Sequence, residues 1–316
     1  MKTVTDYILS IFLTIGVIFG LVPDIIGGRT SYTPEDESII LSRAIVSDTH
    51  CDSNSFRDRN RNLRKAFAGI NRGSVKTDVL LNVGDITNSG VEREYINLRR
   101  FISVYAKPAE VVACIGNHDS WHESADPDYE RAKKLFIRYV NGNGIETDKV
   151  YYSVKIKGCL FIALGTEGLD IDGTAPIYSD EQVSWFDRQL TEGEKTGMPV
   201  FVLCHRPAPG HNGYSGSGCI PQSIEDVLRK HSDADNPIIY FSGHCHTFSQ
   251  NCMEKAGNIY YVSLPSTQYN DETENECNDN GGMGFVMEVY SDRVILKARN
   301  FIKDKYIDGY RFEITR

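Results

Sequence analysis

The sequence predicts an α/β domain with antiparallel additions at its end. Three observations point there. Apolar runs of strand length alternate with segments of helical spacing from residue 43 to about residue 242. From Asn258 onward the chain is strand after strand. Five of the apolar runs stop abruptly in clusters of Asp, Asn and His. Composition agrees with a folded domain. The chain has 316 residues, 41% of them hydrophobic, which is enough to bury a core and excludes wholesale disorder. A formal net charge of −9 argues against a general nucleic-acid binder held by phosphate neutralisation. It leaves room for an enzyme acting on phosphate, because bound cations reverse the local charge. Eight cysteines are too dilute for a disulfide scaffold in a chain of this length.

Taken in order, Arg43–Asp48 (RAIVSD) is a short β-branched run and Asn60–Ile70 has helical spacing. Asp78–Asp85 (DVLLNVGD) and Glu110–Ile115 (EVVACI) are near-continuous apolar runs, as strands covered on both faces require. Val91–Ala106 and Tyr129–Val140 read as amphipathic helices. Tyr151–Ile156 and Cys159–Leu164 flank a Lys157–Gly158 turn. Ser179–Leu190 is a helix with Ser179 as N-cap and Gln182 at the capping-box position. Strands at Pro199–Cys204 and Pro237–Ser242 bracket a helix at Ser223–Lys230. Strands at Asn258–Ser263, Gly284–Tyr290, Arg293–Ala298 and Tyr310–Ile314 close the chain.

The first residues stand apart. Tyr7–Pro23 is uncharged, 17 residues long, and near the lower limit for spanning a hydrocarbon core of about 30 Å. No A-x-A-like cleavage site follows it. The organisation expected is a signal anchor or signal peptide over 1–26, a polar linker over 27–38 and one folded domain over 39–316. A core helix is the bland alternative for the first segment. The export reading makes the chain membrane-anchored through an N-terminal hydrophobic helix, or secreted, with its catalytic domain outside the cytoplasm.

The polar clusters carry the chemistry. The strands run into Asp48-Thr49-His50, Gly84-Asp85, Gly116-Asn117-His118-Asp119, Cys204-His205 and Gly243-His244-Cys245-His246. Any one of these is most simply a turn. In open α/β sheets, however, ligands bind outside the carboxyl ends of the strands, so five such clusters converge on one place. Carboxylate oxygens, imidazole nitrogens and an amide oxygen are hard-to-borderline ligands, and no thiolate is needed. Seven donors are too many for one transition metal and suffice for two if a carboxylate bridges. Manganese, iron(II) and zinc all suit such a donor set.

The order D-x-H, G-D, G-N-H-D, lone His, G-H-x-H resembles the calcineurin-like metallophosphoesterases over about residues 43–250. The resemblance implies a metallo-dependent phosphatase-like fold, a four-layer α/β/β/α sandwich of two mixed sheets. It implies two divalent metal ions, one held by Asp48, His50 and His246, the other by Asn117, His205 and His244, with Asp85 bridging. It implies hydrolysis of phosphate mono- or diesters by in-line attack of a metal-bridging hydroxide. His118 would then be the general acid and Asp119 would orient its ring. The expected partner is a phosphate-ester small molecule or a phosphorylated substrate. Nucleic acid is disfavoured by the acidic charge, although the duplex nucleases of the family share the G-N-H-D block. A cyclic-nucleotide phosphodiesterase and, less favoured, an inactive binding protein on the same fold are the alternatives.

Ile86-Thr87-Asn88 has no tyrosine where purple acid phosphatases carry one. Beyond the motifs, Arg206 could meet a substrate phosphate as a bidentate donor, or be a surface arginine before Pro207. His211 lies in the glycine-rich loop Pro207–Cys219 and could contact substrate there. Trp121 could stack on a base or pack in the core. The basic run Arg57–Lys65 reads as the solvated face of a helix.

Overall fold

A computed structural model describes residues 34–35, 38–72, 76–120, 129–169, 175–216, 218–268 and 281–316. Two six-stranded mixed sheets form the centre. The first has the order β14-β13-β12-β1-β2-β3 and the second β10-β11-β9-β8-β5-β4. The strands of the first are β1 (Leu41–Val46), β2 (Val79–Val83), β3 (Glu110–Cys114), β12 (Met283–Val289), β13 (Arg293–Asn300) and β14 (Lys305–Thr315). Those of the second are β4 (Tyr152–Ile156), β5 (Cys159–Ala163), β8 (Val200–Leu203), β9 (Ile238–Ser242), β10 (Met253–Ala256) and β11 (Ile259–Ser263). A two-residue ribbon, β6 (Gly168–Leu169) with β7 (Pro176–Ile177), sits between β5 and β8 in the chain.

The parallel pairs β1–β2, β2–β3, β5–β8 and β8–β9 are joined by helical crossovers, whereas the parallel pair β9–β11 is joined through strand β10, which pairs antiparallel with β11. Helices α1 (Asp58–Ile70), α2 (Glu92–Phe101) and α3 (Tyr129–Gly142) bury Leu63, Phe67, Leu98 and Phe136 with the first sheet. Helices α4 (Asp180–Glu194) and α5 (Gln222–Lys230) bury Phe186, Leu190, Ile224 and Leu228 against the second. The result is the expected α/β/β/α sandwich.

Why the second sheet reads as unbroken apolar runs is visible residue by residue. Phe161, Phe201, Leu203, Ile239 and Phe241 face the other sheet. Their neighbours Leu160, Ile162, Val200, Val202 and Ile238 face α4 and α5. Period-two alternation therefore stays apolar on both faces. Burial of each such side chain contributes on the order of 1.5–3 kcal/mol. Phe161, Phe201 and Phe241 stack across three strands with centroids 5.1 and 6.4 Å apart. Arg43 of β1 reaches across the sandwich onto this stack, its guanidinium 4.2 Å from Phe161 and 4.3 Å from Phe201.

Three local expectations change. The helix expected to Ala106 is α-helical only to Phe101 and continues as a wider π-type turn over Ile102–Ala106. That turn closes with Lys107 N–H donating to the Ile102 carbonyl, Lys107 in the left-handed region at φ 51°, just before Pro108. At α4, Ser179 accepts from the Gln182 N–H at 3.2 Å as an N-cap should. The reciprocal bond comes from Glu167, which accepts the Ser179 N–H at 2.7 Å, while the Gln182 side chain is turned inward onto Gly165. The strand expected from Tyr310 begins at Lys305.

The expectation of an anchored or exported enzyme is corrected. Among the described residues no helix is long and apolar enough to cross a membrane. The N-terminal hydrophobic helix on which that expectation rested, and Trp121, lie outside the described residues.

Candidate metal centre

The five polar clusters do converge, at the carboxyl ends of β1, β2, β3, β8 and β9. Asp48, His50, Asp85 and His246 each offer a donor atom, all within 4.8 Å of one another, and all four residues are buried. His246 Nε2 lies 3.1 Å from Asp48 Oδ1 and 3.0 Å from His50 Nε2. His50 Nε2 is 3.7 Å from Asp85 Oδ2. On the other side of Asp85, His205 Nε2 is 3.3 Å from Asp85 Oδ1 and 3.2 Å from Asn117 Oδ1. The His244 ring stands edge-on to His205 with centroids 5.2 Å apart. Asp85 thus lies between two donor groups, with its two oxygens facing different imidazoles.

Backbone geometry aims these side chains, and not in the way extended strands would. Asp48, His50, Asp85, His244 and His246 all have positive φ, between 38° and 73°, and make up five of the nine non-glycine residues in that region among those described. Extended backbone would put His244 and His246 on one face by period two. Left-handed turns do it instead, at an energetic cost that residues pinned by surrounding bonds can bear. The ladder between the β1 and β2 loops supplies the pins: Asp48 N–H to the Gly84 carbonyl at 3.1 Å and His50 N–H to the Asp85 carbonyl at 2.9 Å. Glycines flank the site because nothing larger fits. A Cβ at Gly116 would collide with the Asp85 carboxylate, and one at Gly243 with Ser47 Oγ and Asp48.

Second-layer bonds set ring orientation. His205 donates through Nδ1 to the Val83 carbonyl at 2.9 Å, which leaves Nε2 directed at Asp85 and Asn117. His118 donates through Nδ1 to the Asn88 carbonyl at 3.0 Å and stands edge-on to His50 at 4.5 Å. The expected partner for His118 was Asp119, and this is corrected. The Asp119 carboxylate instead accepts from Gly116 N–H (2.8 Å), Thr87 N–H (2.9 Å), Thr87 Oγ1 (2.7 Å) and Ile86 N–H (3.3 Å). It ties the loop after β2 to the loop after β3. The orienting group for His118 is a backbone carbonyl, which no side-chain motif could reveal.

The electrostatics suit cations. Burial pushes His50 down to about 4 and His244 down to about 3, so both present neutral nitrogens. Burial would also lower His205, but the Asp85 charge and hydrogen bond outweigh it and lift the ring to about 9. Burial opposes ionisation of Asp85, yet His205 and His50 hold it well below the usual carboxylate range. Burial, then the Asp85 charge, push Asp119 up to about 6. Two buried carboxylates and three buried imidazoles, with the half-buried Asn117 amide and His244 ring beside them, make a donor set that fits two divalent cations.

Arg206 is buried, donates to the Gly218 carbonyl at 3.0 Å, and its charge contributes to the lowering of His244. His211 goes elsewhere. It stacks on Tyr261 at 3.7 Å between Glu225 and Glu254, and its contacts include no residue of the metal cluster.

Comparison with known proteins bears on this site. The family model for calcineurin-like phosphoesterases matches residues 41–248. A manganese-dependent ADP-ribose/CDP-alcohol diphosphatase of Xenopus laevis is 28% identical over 127 residues, which are 40% of this chain and 33% of the relative. The Homo sapiens protein of that description is 25% identical over 131 residues, 42% and 35% respectively. The chain spans about a third of the length of the curated relatives it matches. Among solved structures, a dimetal phosphatase from Danio rerio superposes with a TM-score of 0.59 at 16% identity, covering 88% of this chain and 99% of that one. A purple acid phosphatase from yellow lupin (Lupinus luteus) gives 0.58 at 15%, covering 90% and 55%. At such identities these two show the fold alone.

Proposed function

The chain belongs to the calcineurin-like phosphoesterase family, and on that premise we propose that it hydrolyses a phosphodiester or phosphoanhydride linkage in a small molecule. The observation that carries this reading is Asp85, placed between the Asp48–His50–His246 group and the Asn117–His205–His244 group. Two divalent cations held by those groups would supply Lewis acidity at phosphorus and acidify a water for in-line attack.

The chain's own residues supply the rest. Asp48 and Asp85 neutralise positive charge and exclude a bare anion from the site until cations are in place. His118, held by Asn88 through Nδ1, keeps Nε2 for the reaction. It protonates the departing oxygen as the P–O bond breaks and the bond to the water oxygen forms. Arg206 neutralises a non-bridging phosphoryl oxygen. The named substrates of the matched relatives contain a diphosphate, and this supports a phosphorus carrying two substituents over a monoester.

The test compares hydrolysis of bis-(p-nitrophenyl) phosphate and p-nitrophenyl phosphate by the full chain, with added manganese and with chelator. The reading requires metal-dependent turnover with the diester preferred. Turnover that survives exhaustive chelation contradicts it.

A further inference from the structure

The loop that presents Asp48 and His50 is held from two sides, and only one of them belongs to the motifs. Toward β2, the Asp48 and His50 N–H groups donate to the Gly84 and Asp85 carbonyls. On the opposite side the consecutive carbonyls of Ser47, Asp48 and Thr49 accept from three consecutive residues that follow β11. The donors are Thr267 N–H at 2.9 Å, Ser266 Oγ at 3.2 Å and Gln268 Nε2 at 2.7 Å. We propose that Ser266 and Gln268 are positioning residues for the Asp48–His50–His246 group, acting on it through the backbone. The inference deepens the two-cation reading above and rests on it.

The segment that does this is a fixed post. Residues 264–268 cross from the second sheet to the first at the end where the clusters converge. Leu264 N–H donates to the Ser242 carbonyl at the end of β9 at 2.8 Å. The Thr267 carbonyl accepts from Gly282 N–H at 2.7 Å, and Thr267 Oγ1 donates to the Met283 carbonyl at the start of β12 at 3.2 Å. Ser266, Thr267 and Gln268 are all buried. Buried polar groups need compensating bonds, and here those bonds go to the backbone of one loop. The Gln268 amide also donates to the Arg59 carbonyl in the first turn of α1 at 3.2 Å, and Gln268 N–H donates to Ser266 Oγ at 3.1 Å. The metal loop, the start of α1 and the crossing segment therefore share one network.

What the network controls follows from peptide planarity. The plane before Asp48 is pinned at both ends, its carbonyl by Thr267 and its N–H by Gly84. The plane before His50 is pinned likewise, by Gln268 and by Asp85. Asp48 and His50 have φ of 51° and 38°, a sparsely populated conformation that persists only where the surroundings over-determine it. Withdrawing the Gln268 donor frees one end of the plane that aims His50. The bonds of Gln268 reach neither Asn117, His205 nor His244, and the His205 ring is set independently by the Val83 carbonyl. The effect should therefore fall on one of the two cations.

The test reads metal affinity, separately from turnover. Manganese is titrated calorimetrically into the metal-free full chain and into Gln268→Met, Ser266→Ala and Ser266→Thr, with folding checked by circular dichroism. Gln268→Met and Ser266→Ala should each weaken one of the two ions about 10–100-fold and leave the other little changed, and Ser266→Thr should restore it. Added to His50→Ala, where the group it serves is already broken, Gln268→Met should have little further effect; added to His244→Ala it should still weaken binding. A merely structural role would weaken both ions together and lower the Tm of the metal-free protein. Equal weakening of both ions, or no weakening of either, overturns the proposal. Should Gln268→Met fail to fold, the Ser266→Ala and Ser266→Thr pair decides on the same criteria. A wild type that takes up fewer than two ions would instead overturn the two-cation reading itself, and this proposal with it.

Discussion

The two sheets contribute unequally to the site. The first supplies both carboxylates, Asp48 and Asp85, together with Asn117, His50 and His118; the second supplies imidazoles only, His205, His244 and His246. Alone, the first is an anionic half-site whose carboxylates lie too close to stay ionised without partners. Alone, the second is a cluster of neutral or weakly charged rings. The difference teaches that the centre exists only where the sandwich closes, so cations bound there should act as a clasp between sheets as well as a reagent. The opposite arrangement holds deeper in the sandwich, where Arg43 crosses from the first sheet onto the phenyl stack of the second and makes no hydrogen bond to oxygen among the described residues.

That asymmetry can be broken at several points. The largest effect should come from His118, on the first sheet's side. His118→Gln should lower kcat by about 10²–10⁴-fold on a diester with an alkoxide leaving group and by much less on bis-(p-nitrophenyl) phosphate, whose leaving group needs no proton. An equal loss on both would mean that the ring acts by binding rather than as an acid. Next comes the clasp. Saturating manganese at about 100 times its dissociation constant should stabilise the fold by about 2.7 kcal/mol, read as a rise in Tm that chelator reverses. Asp85→Asn should abolish most of that rise, and an undiminished rise would separate metal binding from sheet closure.

Smaller effects probe the surroundings. Glu94 on α2 is buried, accepts the Ser89 N–H at 2.8 Å, and burial pushes it up to about 7 against that bond. A carboxyl with a raised folded-state pKa adds stability that is fully present below its unfolded value of 4.5 and is lost as pH rises through about 7. Glu94→Gln should therefore gain in Tm relative to wild type between pH 5 and pH 8 (assay conditions of about those values). A constant difference across that range would show that Glu94 does not titrate there. Smallest is Arg43. Burial pushes its guanidinium down to about 9, so it stays charged at neutral pH inside the core. Arg43→Met should leave Tm unchanged or raise it by a few degrees, since a well-packed apolar side chain replaces a desolvated ion. A clear fall would show that its contacts with Phe161 and Phe201 outweigh that desolvation.

Most of the fold was legible because both sheets are buried on both faces. Runs such as VLLNV in β2 and IIYFS in β9 have one plausible reading, and the observed strands begin or end within a residue or two of those expected. Strand β10 (MEKA) was not legible, since a half-exposed edge of mixed polarity carries no periodic signal. Neither was the β6–β7 ribbon, which is too short to have one. At the site, the residue types and their order were readable and the backbone was not. Left-handed φ, as at His244 and His246, is uncommon for any residue but glycine, so extended spacing was the natural expectation. The Asn88 carbonyl behind His118 leaves no side-chain trace. The basic stretch from Arg57 hid a boundary: Arg57 precedes α1 and, with Phe56 and Arg59, lines an open cleft, while helical spacing gives them only an outward face.

The central claim is that the two sheets meet to hold two cations across Asp85. Metal content per chain, measured on manganese-equilibrated, gel-filtered full-length protein and on Asp85→Asn, tests it most directly. The account predicts two ions per chain in the wild type and at most one in the variant. A single ion in the wild type, or two retained by the variant, would contradict it.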